Sequence, residues 1–396
     1  MLSHLSFTLN RDQHTDRLNV GLDLGKNRWV MDVLDTVDGS HHRFDFAGSE
    51  LALKAYGKVE ELIRTGREVD VIYEAGRNGF TPARVMGQLG ARVTVLPVNR
   101  LELIGVGKKA KTDRLDARNL SERDARAPGF PSVWVPSVDE ECRRRMLKEK
   151  ERLDKEIKRE NNRILGILER WPVPPAKGHL AAAEWREKIR EWRQQEAVPQ
   201  LFPEVEVWCI EDMVDELELL EKNRARWNER IEAELEKQRQ EAAKEGINSL
   251  VDILMQYRGI GREIALGLVW YVADFKRFRN GKKFASYLGL VPDPWESGNM
   301  HRQQGISKCG SPEVRRLMVE LAWLWVRYQP DSPITKKWKP RLEKRGRTRR
   351  TAIVAVARQL AVAILRRLNN GVEMQGAIKN RTLPVPATHP GSPLAA

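Results

Sequence analysis

The order of apolar segments between residues 19 and 97 constrains the fold more than any other feature. Three strand candidates come first, and the break Gly25-Lys26-Asn27 between the first two is typical of a hairpin. The strands are Val20–Leu24, Trp29–Leu34 and His42–Phe46, followed by helix Ser49–Ile63, strand Val69–Tyr73, helix Thr81–Leu89 and strand Arg92–Pro97. This order favours an antiparallel meander joined to parallel strands. We therefore expect an α/β N-terminal domain with a mixed sheet over residues 17–130.

The rest of the chain has helical patterns. Residues from about 139 to 168 and from about 212 to 245 carry apolar side chains spaced by threes and fours, as helix pairs and coiled coils require. We expect a long helical coiled-coil linker over 138–248 with a Trp-rich insertion at about 170–210. An all-α C-terminal domain is expected over 249–330. A basic extension, 331–396, contains an amphipathic helix, Ala352–Leu368, and has a tail that we expect to be disordered.

The charge balance points to a polyanionic partner. The 69 Lys and Arg residues exceed the 55 Asp and Glu residues, giving a formal net charge of +14. Three widely separated cysteines argue against a disulfide framework and against a cysteine zinc site. The N-terminus has no apolar core typical of a signal peptide, and no apolar run is long enough to span a membrane. We expect a cytoplasmic protein.

Acidic residues stand at matching points of this pattern. Asp23 ends the first strand and Glu74 ends the fourth, where burial of an unpartnered charge is costly. Asp113 and Asp116 lie at a predicted helix start in KTDRLDARNL, on one helical face. Each has an alternative role when taken alone, because Asp23 suits a turn, Glu74 can pair with a nearby arginine, and Asp113 suits a helix N-cap. Together they favour a site for Mg²⁺ or Mn²⁺, since four carboxylates suit two metal ions that act on a phosphodiester.

The sequence around these residues resembles a known family. The phrases VGLDLGKNRWVMDVLD, YEAGRNGF and KTDRLDARNL are similar to the N-terminal half of the DEDD-type insertion-sequence transposases, the IS one-ten family. Two further segments resemble that family's transposase domain. They are YRGIGREIALGLVWYVADFKRF and the segment from FASYLGLVPDPWESG to the following helix. The resemblance covers about 19–125 and 249–330.

The resemblance implies a fold and an activity. The N-terminal domain is expected to have a ribonuclease H fold of the RuvC branch, with Asp23, Glu74, Asp113 and Asp116 as its metal ligands. The activity is expected to be that of a DNA transposase and recombinase of a mobile element, in which the carboxylate site works with a serine nucleophile. A structured noncoding RNA, the bridge RNA, is expected to pair with donor and target DNA.

The serine that matches the family's nucleophile is Ser297, in PDPWESGNMHRQQG. A serine that attacks phosphate needs an activated hydroxyl and nearby cations. The alternative is a turn serine beside Gly298. Ser307 and Ser311 are its rivals, but Ser311 precedes Pro312 and suits a helix N-cap.

Several positions are candidates for nucleic-acid contact. The glycines of Tyr257-Arg258-Gly259-Ile260-Gly261 resemble a helix-hairpin-helix, whose backbone N–H groups bind phosphate, although this pattern also suits an ordinary helix connection. The run from Lys336 to Arg350 holds nine basic residues against the single Glu343, which suits phosphate contacts. The full candidate set is Lys108, Lys109, Lys111, Gly259, Gly261, His301, Arg302, Lys308, Arg315, Arg316, Lys336, Lys337, Lys339, Arg349 and Arg350.

Two other functions remain open at this point. One is a RuvC-like nuclease or junction resolvase that uses metal-activated water, and the other is a non-catalytic nucleic-acid-binding protein. For a recombinase we expect a dimer that forms a tetramer on DNA, associated with a bacterial or archaeal nucleoid and not with a membrane. Whether the serine acts in the subunit that supplies the carboxylates stays open.

Overall fold

The structure is a computed structural model that describes residues 16–98, 113–171, 178–194, 202–297 and 300–380, with the backbone alone at 113–114, 293–297 and 300–304. The chain divides into two compact units, Met1–Ser137 and Val138–Ala396. Within the described ranges, no helix has the length and apolar character needed to cross a bilayer.

The first unit contains a five-stranded mixed sheet. Its strands are β1 (Arg17–Leu24), β2 (Arg28–Asp35), β3 (His41–Ala47), β4 (Glu68–Glu74) and β5 (Arg92–Leu96). Their spatial order is β3-β2-β1-β4-β5. The first three strands pair antiparallel, whereas β1 with β4 and β4 with β5 pair parallel. The predicted mixed sheet and its strand directions are confirmed.

The two faces of this sheet differ in what covers them. Helices α1 (Leu51–Arg64) and α2 (Thr81–Leu89) pack against a face that includes Val20, Val71 and Tyr73, all fully buried. Side chains alternate along a strand, so the neighbours of these residues point to the opposite face. There Ile72 and Leu96 pack against Leu120 of α3 (Asp113–Ser121).

The second unit is largely helical. Its helices are α4 (Val138–Leu168), α5 (Ala182–Gln194), α6 (Glu204–Lys244), α7 (Leu250–Met255), α8 (Arg262–Val272), α9 (Gly281–Tyr287), α10 (Pro312–Tyr328), α11 (Pro333–Leu342) and α12 (Arg347–Asn370). Helices α4 and α6 pack along each other, and the Trp-rich α5 buries Trp185 and Trp192 against them. The helix pair agrees with the sequence analysis, while its coiled-coil geometry stays a prediction.

The expectation of an all-α C-terminal domain is wrong in one segment. Strands β6 (Pro292–Ser297) and β7 (Met300–Ile306) form an antiparallel hairpin between α9 and α10. Pro292 and Pro294 have no N–H to donate, and two such residues in three exclude a regular helix. An edge strand with an irregular register accommodates them, as the shift between these two residues shows.

Two helices begin earlier than predicted. Helix α6 starts at Glu204, directly after Pro203, because Ile210 extends its buried stripe towards the N-terminus. Helix α12 starts at Arg347 rather than at Ala352, after Gly346 with a φ of 68°. The end of the basic run therefore forms the first turn of a helix.

Candidate functional site

Asp23 and Glu74 end two neighbouring parallel strands. The register of β1 with β4 runs to the pair Leu22 and Tyr73, and the two acids are the next residues on each strand. Adjacent strands lie about 4.8 Å apart, so the backbones of the two acids are neighbours. Both side chains are partly buried, and both already have interaction partners. Strand alternation directs them to the face that α3 covers.

Helix α3 crosses β1 at unusually short range. A Cβ atom at Gly21 would lie 2.0 Å from the carbonyl oxygen of Ala117, so only glycine allows the helix to approach this closely. Two residues before Gly21, the Asn19 amide Nδ2 donates to the carbonyl oxygen of Ser121 at 3.3 Å. The end of α3 thus lies over the start of β1, and its first turn lies towards the end of β1.

The repeat distances of helix and strand extend this alignment to the acids. Four residues of an α-helix rise about 6 Å, and two residues of a strand advance about 6.6 Å. Asn19 contacts Ser121 and Gly21 contacts the segment from Ala117 to Ser121, so the first turn of α3 is expected to lie on the side of Asp23. Asp116 lies one position before Ala117 on the same helix and is partly buried. That the two helix acids join Asp23 and Glu74 at this strand edge stays a prediction.

The donor set of this edge is chemically suited to a hard divalent cation. The predicted set consists of carboxylates from two strand ends and one helix start, the ligand type that Mg²⁺ and Mn²⁺ favour. Among the side chains that the structure describes, no three of His, Cys, Asp or Glu are grouped closely enough to share an ion. Asp23, Glu74 and Asp116 belong to that set, so the structure does not bring these three close enough to share an ion. The Asp113 side chain lies outside it, as do residues Lys108, Lys109 and Lys111.

Other acids on this face have hydrogen-bond or ion-pair partners. Asp70, 2% exposed, accepts two hydrogen bonds from the Arg126 guanidinium, at 2.6 and 2.9 Å. Asp32, 5% exposed, accepts from the Ser121 hydroxyl at 2.5 Å and lies 2.7 Å from His41 Nδ1. Neither acid was among the predicted site residues, although an Asp inside an otherwise apolar strand indicates a buried partner.

The serine candidates have different surroundings. Ser297 is the last residue of β6 and pairs with Met300 across the hairpin, next to residues 298–299, which lie outside the described ranges. Ser311 is the N-cap of α10, as predicted, and its hydroxyl accepts from the Val314 N–H at 3.3 Å. The Ser307 hydroxyl is enclosed and has no hydrogen-bond partner among the described residues. An enclosed hydroxyl cannot reach a phosphodiester without movement, which disfavours Ser307.

The basic residues in and after the hairpin differ in the contacts that they make. Lys308 is exposed, with a φ of 53°. The Arg315 guanidinium donates to the carbonyl oxygens of Lys308 at 2.9 Å and of Leu288 at 3.4 Å, which joins the loop to α9. Arg316 pairs with Glu151 and Glu320. His301 and Arg302 lie on β7.

The glycines between α7 and α8 have separate roles. Gly259 has a φ of 96°, a conformation that favours glycine, and it packs against the backbone of α10 at Leu324. Gly261 is the exposed N-cap of α8, with open space around its Cα. The segment is a tight helix connection, and phosphate binding by it stays a prediction.

The basic run forms one exposed surface, which we call the α11–α12 basic surface. Its members are Lys336, Lys337, Lys339, Arg341, Lys344, Arg345, Arg347, Arg349 and Arg350, all exposed. Within the described part of the chain, Lys336 alone among them forms an ion pair, with Asp331 at 3.3 Å. The Arg349 guanidinium lies over the ring of Trp323, 5.0 Å from its centroid, and that indole is 39% exposed.

Comparison with known proteins gives consistent matches. The family model of the Transposase IS116/IS110/IS902 family matches residues 251–335. A Sinorhizobium fredii protein that carries the name transposase y4rJ is 32% identical over 387 residues, covering 91% of this chain and 93% of its own. The pilin gene-inverting protein of Moraxella lacunata is 24% identical, covering 64% of this chain and 65% of its own. The transposase for insertion sequence element IS1111A of Coxiella burnetii is 27% identical, with 65% and 66% covered.

Proposed function

The chain belongs to the IS116/IS110/IS902 transposase family, and from that premise we propose that it breaks and rejoins DNA strands at a divalent-metal site formed by four carboxylates. The carboxylates are those of Asp23, Glu74, Asp113 and Asp116. The observation that carries this proposal is the parallel pairing of β1 with β4, which makes Asp23 and Glu74 neighbours on the face covered by α3.

The protein's own groups have defined tasks in this proposal. The strand acids supply fixed oxygen ligands, because their backbones are held by the sheet. The acids of α3 complete the proposed ligand set, and the contact of α3 with Gly21 determines how close the helix lies to the strand. Mg²⁺ or Mn²⁺, when bound, lowers the pKa of an attacking hydroxyl and stabilises the charge of a leaving oxygen.

We propose Ser297 as the nucleophile. Its hydroxyl oxygen forms a bond to phosphorus, and the bond from phosphorus to one deoxyribose oxygen breaks. The serine proton passes to a base, and the departing oxygen takes up a proton to leave as an alcohol. The reverse attack by a deoxyribose hydroxyl rejoins the strand and restores the serine. The position of Ser297 at the tip of a hairpin supports this role, because a tip residue can enter a DNA groove.

Trapping of a covalent adduct tests this proposal against a nuclease that uses water. Incubation of the purified protein with cognate DNA, its guide RNA and Mg²⁺ is expected to give a protein–DNA adduct on a denaturing gel. Ser297→Ala is expected to abolish that adduct, because alanine has no hydroxyl, whereas the matched change Ser307→Ala retains it. An adduct that survives Ser297→Ala contradicts the serine assignment, and strand cleavage without any adduct supports the nuclease.

We propose that the α11–α12 basic surface binds the phosphate backbone. Eight of its nine cations have no carboxylate partner among the described residues, so their mutual repulsion is relieved best by an external polyanion. The first turn of α12 carries Arg347, Arg349 and Arg350 but no acid. Cations are unfavourable at this positive end of the helix dipole, and a phosphate there offsets both effects.

A salt titration measures this contact. The quadruple change of Lys337, Lys339, Arg349 and Arg350 to Gln is expected to reduce the slope of log affinity against log salt. The slope falls by about 0.9 for each phosphate contact removed. Fluorescence anisotropy with duplex DNA at several NaCl concentrations gives the slope.

The control uses four cations of one helix that already have acidic partners. They are Arg186, Lys188, Arg190 and Arg193 on α5. Their change to Gln is expected to leave the slope unaltered. An equal loss of slope in both quadruple variants would mean that overall charge, and not this surface, determines binding.

The partners proposed for this transposase are donor and target DNA and a structured noncoding RNA that selects them. The RNA is supported by the family resemblance alone. A homodimer that forms a tetramer on DNA is proposed because recombination holds two duplexes together. The similarity to a pilin gene-inverting protein also favours recombination over simple cleavage.

A further inference from the structure

Helix α3 is short and has little apolar surface to hold it in place. It has nine residues, and an isolated helix of this length is marginal in water. Of its described side chains, those of Ala117, Leu120 and Ser121 are buried, whereas Leu115 is 48% exposed. Apolar packing alone therefore leaves the rotation and axial position of α3 weakly determined.

Polar groups from three strands hold the C-terminal end of this helix. Asp32 Oδ2 on β2 accepts from the Ser121 hydroxyl at 2.5 Å and lies 2.7 Å from His41 Nδ1 on β3. The other imidazole nitrogen, His41 Nε2, lies 3.7 Å from Glu122, the residue after the helix. From β1, Asn19 donates to the carbonyl oxygens of Ser121 and Arg123, at 3.3 and 3.1 Å.

Because these groups are buried, their hydrogen bonds require one position of α3. Ser121 is fully buried and Asp32 is 5% exposed, so a slip of the helix by one residue breaks a hydrogen bond between two groups that are shielded from water. Such a slip rotates α3 by about 100° and shifts it by about 1.5 Å. Buried polar groups of this kind select one register among alternatives that apolar packing tolerates.

We infer that Asp32, His41 and Ser121 form a positioning cluster that fixes α3, and so fixes Asp113 and Asp116 relative to Asp23 and Glu74. The inference rests on the proposed carboxylate site. The three residues do not touch the reacting atoms in this arrangement. They act through the helix, because Ser121 stands two turns after Asp113 and rigid helix geometry transmits its position.

Binding of Mn²⁺ to the full-length protein tests the cluster without requiring activity. Free Mn²⁺ is measured by electron paramagnetic resonance in a titration with protein. Ser121→Ala and Asp32→Ala are expected to weaken Mn²⁺ binding by about 10- to 100-fold, as loss of outer groups does at metal sites. Asp32→Asn is expected to restore it, since the amide oxygen still accepts from Ser121.

A second core variant separates positioning from general stability. Val59 on α1 is fully buried against the opposite face of the sheet, so Val59→Ala destabilises the unit without touching α3. It is expected to leave Mn²⁺ affinity unchanged. Equal weakening in Val59→Ala and Ser121→Ala, or unchanged affinity in Ser121→Ala, overturns the positioning role.

The same titration distinguishes this inference from the proposed function. Asp23→Asn is expected to abolish high-affinity Mn²⁺ binding. If Asp23→Asn does so and Ser121→Ala has no effect, the metal site stands and the positioning cluster fails. If the unchanged protein binds no Mn²⁺ at high affinity, the proposed metal site fails, and the inference that depends on it fails too.

Discussion

Replacing Asp23 by asparagine is expected to lower the rate of DNA strand cleavage by about a thousandfold or more. Metal ions contribute several kcal/mol of charge stabilisation in the transition state, and about 4 kcal/mol corresponds to that factor. Asparagine keeps the size of the side chain but removes the negative charge that holds the ion. Single-turnover cleavage of labelled cognate DNA, with saturating Mg²⁺ and guide RNA, measures the rate.

The fold of the variant is expected to stay intact. Asp23 is partly buried at a strand end, and asparagine can keep hydrogen bonds that a neutral oxygen accepts. Thermal unfolding and DNA affinity at low salt therefore stay close to those of the unchanged protein. A loss of DNA affinity as large as the loss of rate would show that Asp23 maintains the structure rather than the chemistry.

The matched control lies on β4, at the end opposite to Glu74. Glu68 is exposed and pairs with Arg126 at 2.6 Å, a surface contact worth at most about 1 kcal/mol. Glu68→Gln removes one carboxylate from the same sheet and is expected to leave the cleavage rate unchanged. Full activity in Asp23→Asn, or equal loss in Glu68→Gln, would contradict a catalytic site at the β1–β4 edge.

The sequence predicts the sheet and the edge that carries the acids because strand periodicity and chain order depend on local residue types. Apolar runs with Asp23 and Glu74 at their ends indicate both strands and place the two acids near the strand ends. The structure shows that β1 and β4 are neighbours in the sheet, and this pairing makes a shared site possible.

The contacts between distant segments could not be predicted in the same way. Gly21 inside a strand indicates a close approach, but the partner is a helix almost a hundred residues later in the chain. Asp32 indicates a buried partner, yet Ser121 and His41 look like ordinary polar residues in the sequence. The hairpin that contains Ser297 could not be predicted because both strands are largely polar without clear alternation, and β6 contains two prolines.

Gly21→Ala is expected to destabilise the first unit by about 3 kcal/mol, at the upper end of the cost of overpacking. The new methyl group would lie 2.0 Å from the Ala117 carbonyl oxygen and 2.6 Å from the Ser121 nitrogen. Both are backbone atoms, so the strain cannot be relieved by turning a side chain. The helix must move outwards, which also withdraws the backbone of Asp113 and Asp116 from the strand acids.

Differential scanning calorimetry measures the change in stability, and Gly57→Ala is the matched control. Gly57 lies inside α1, and a Cβ atom added there would meet no described atom within 4 Å outside its own helix turn. Alanine at this position is therefore expected to stabilise the helix by up to about 1 kcal/mol. The two substitutions add the same methyl group and are expected to have opposite signs. If the Gly21→Ala variant unfolds at the same temperature as the Gly57→Ala variant, the close contact of α3 with β1 is contradicted. The proposed alignment of the four acids at one edge would then fail, because it depends on that contact.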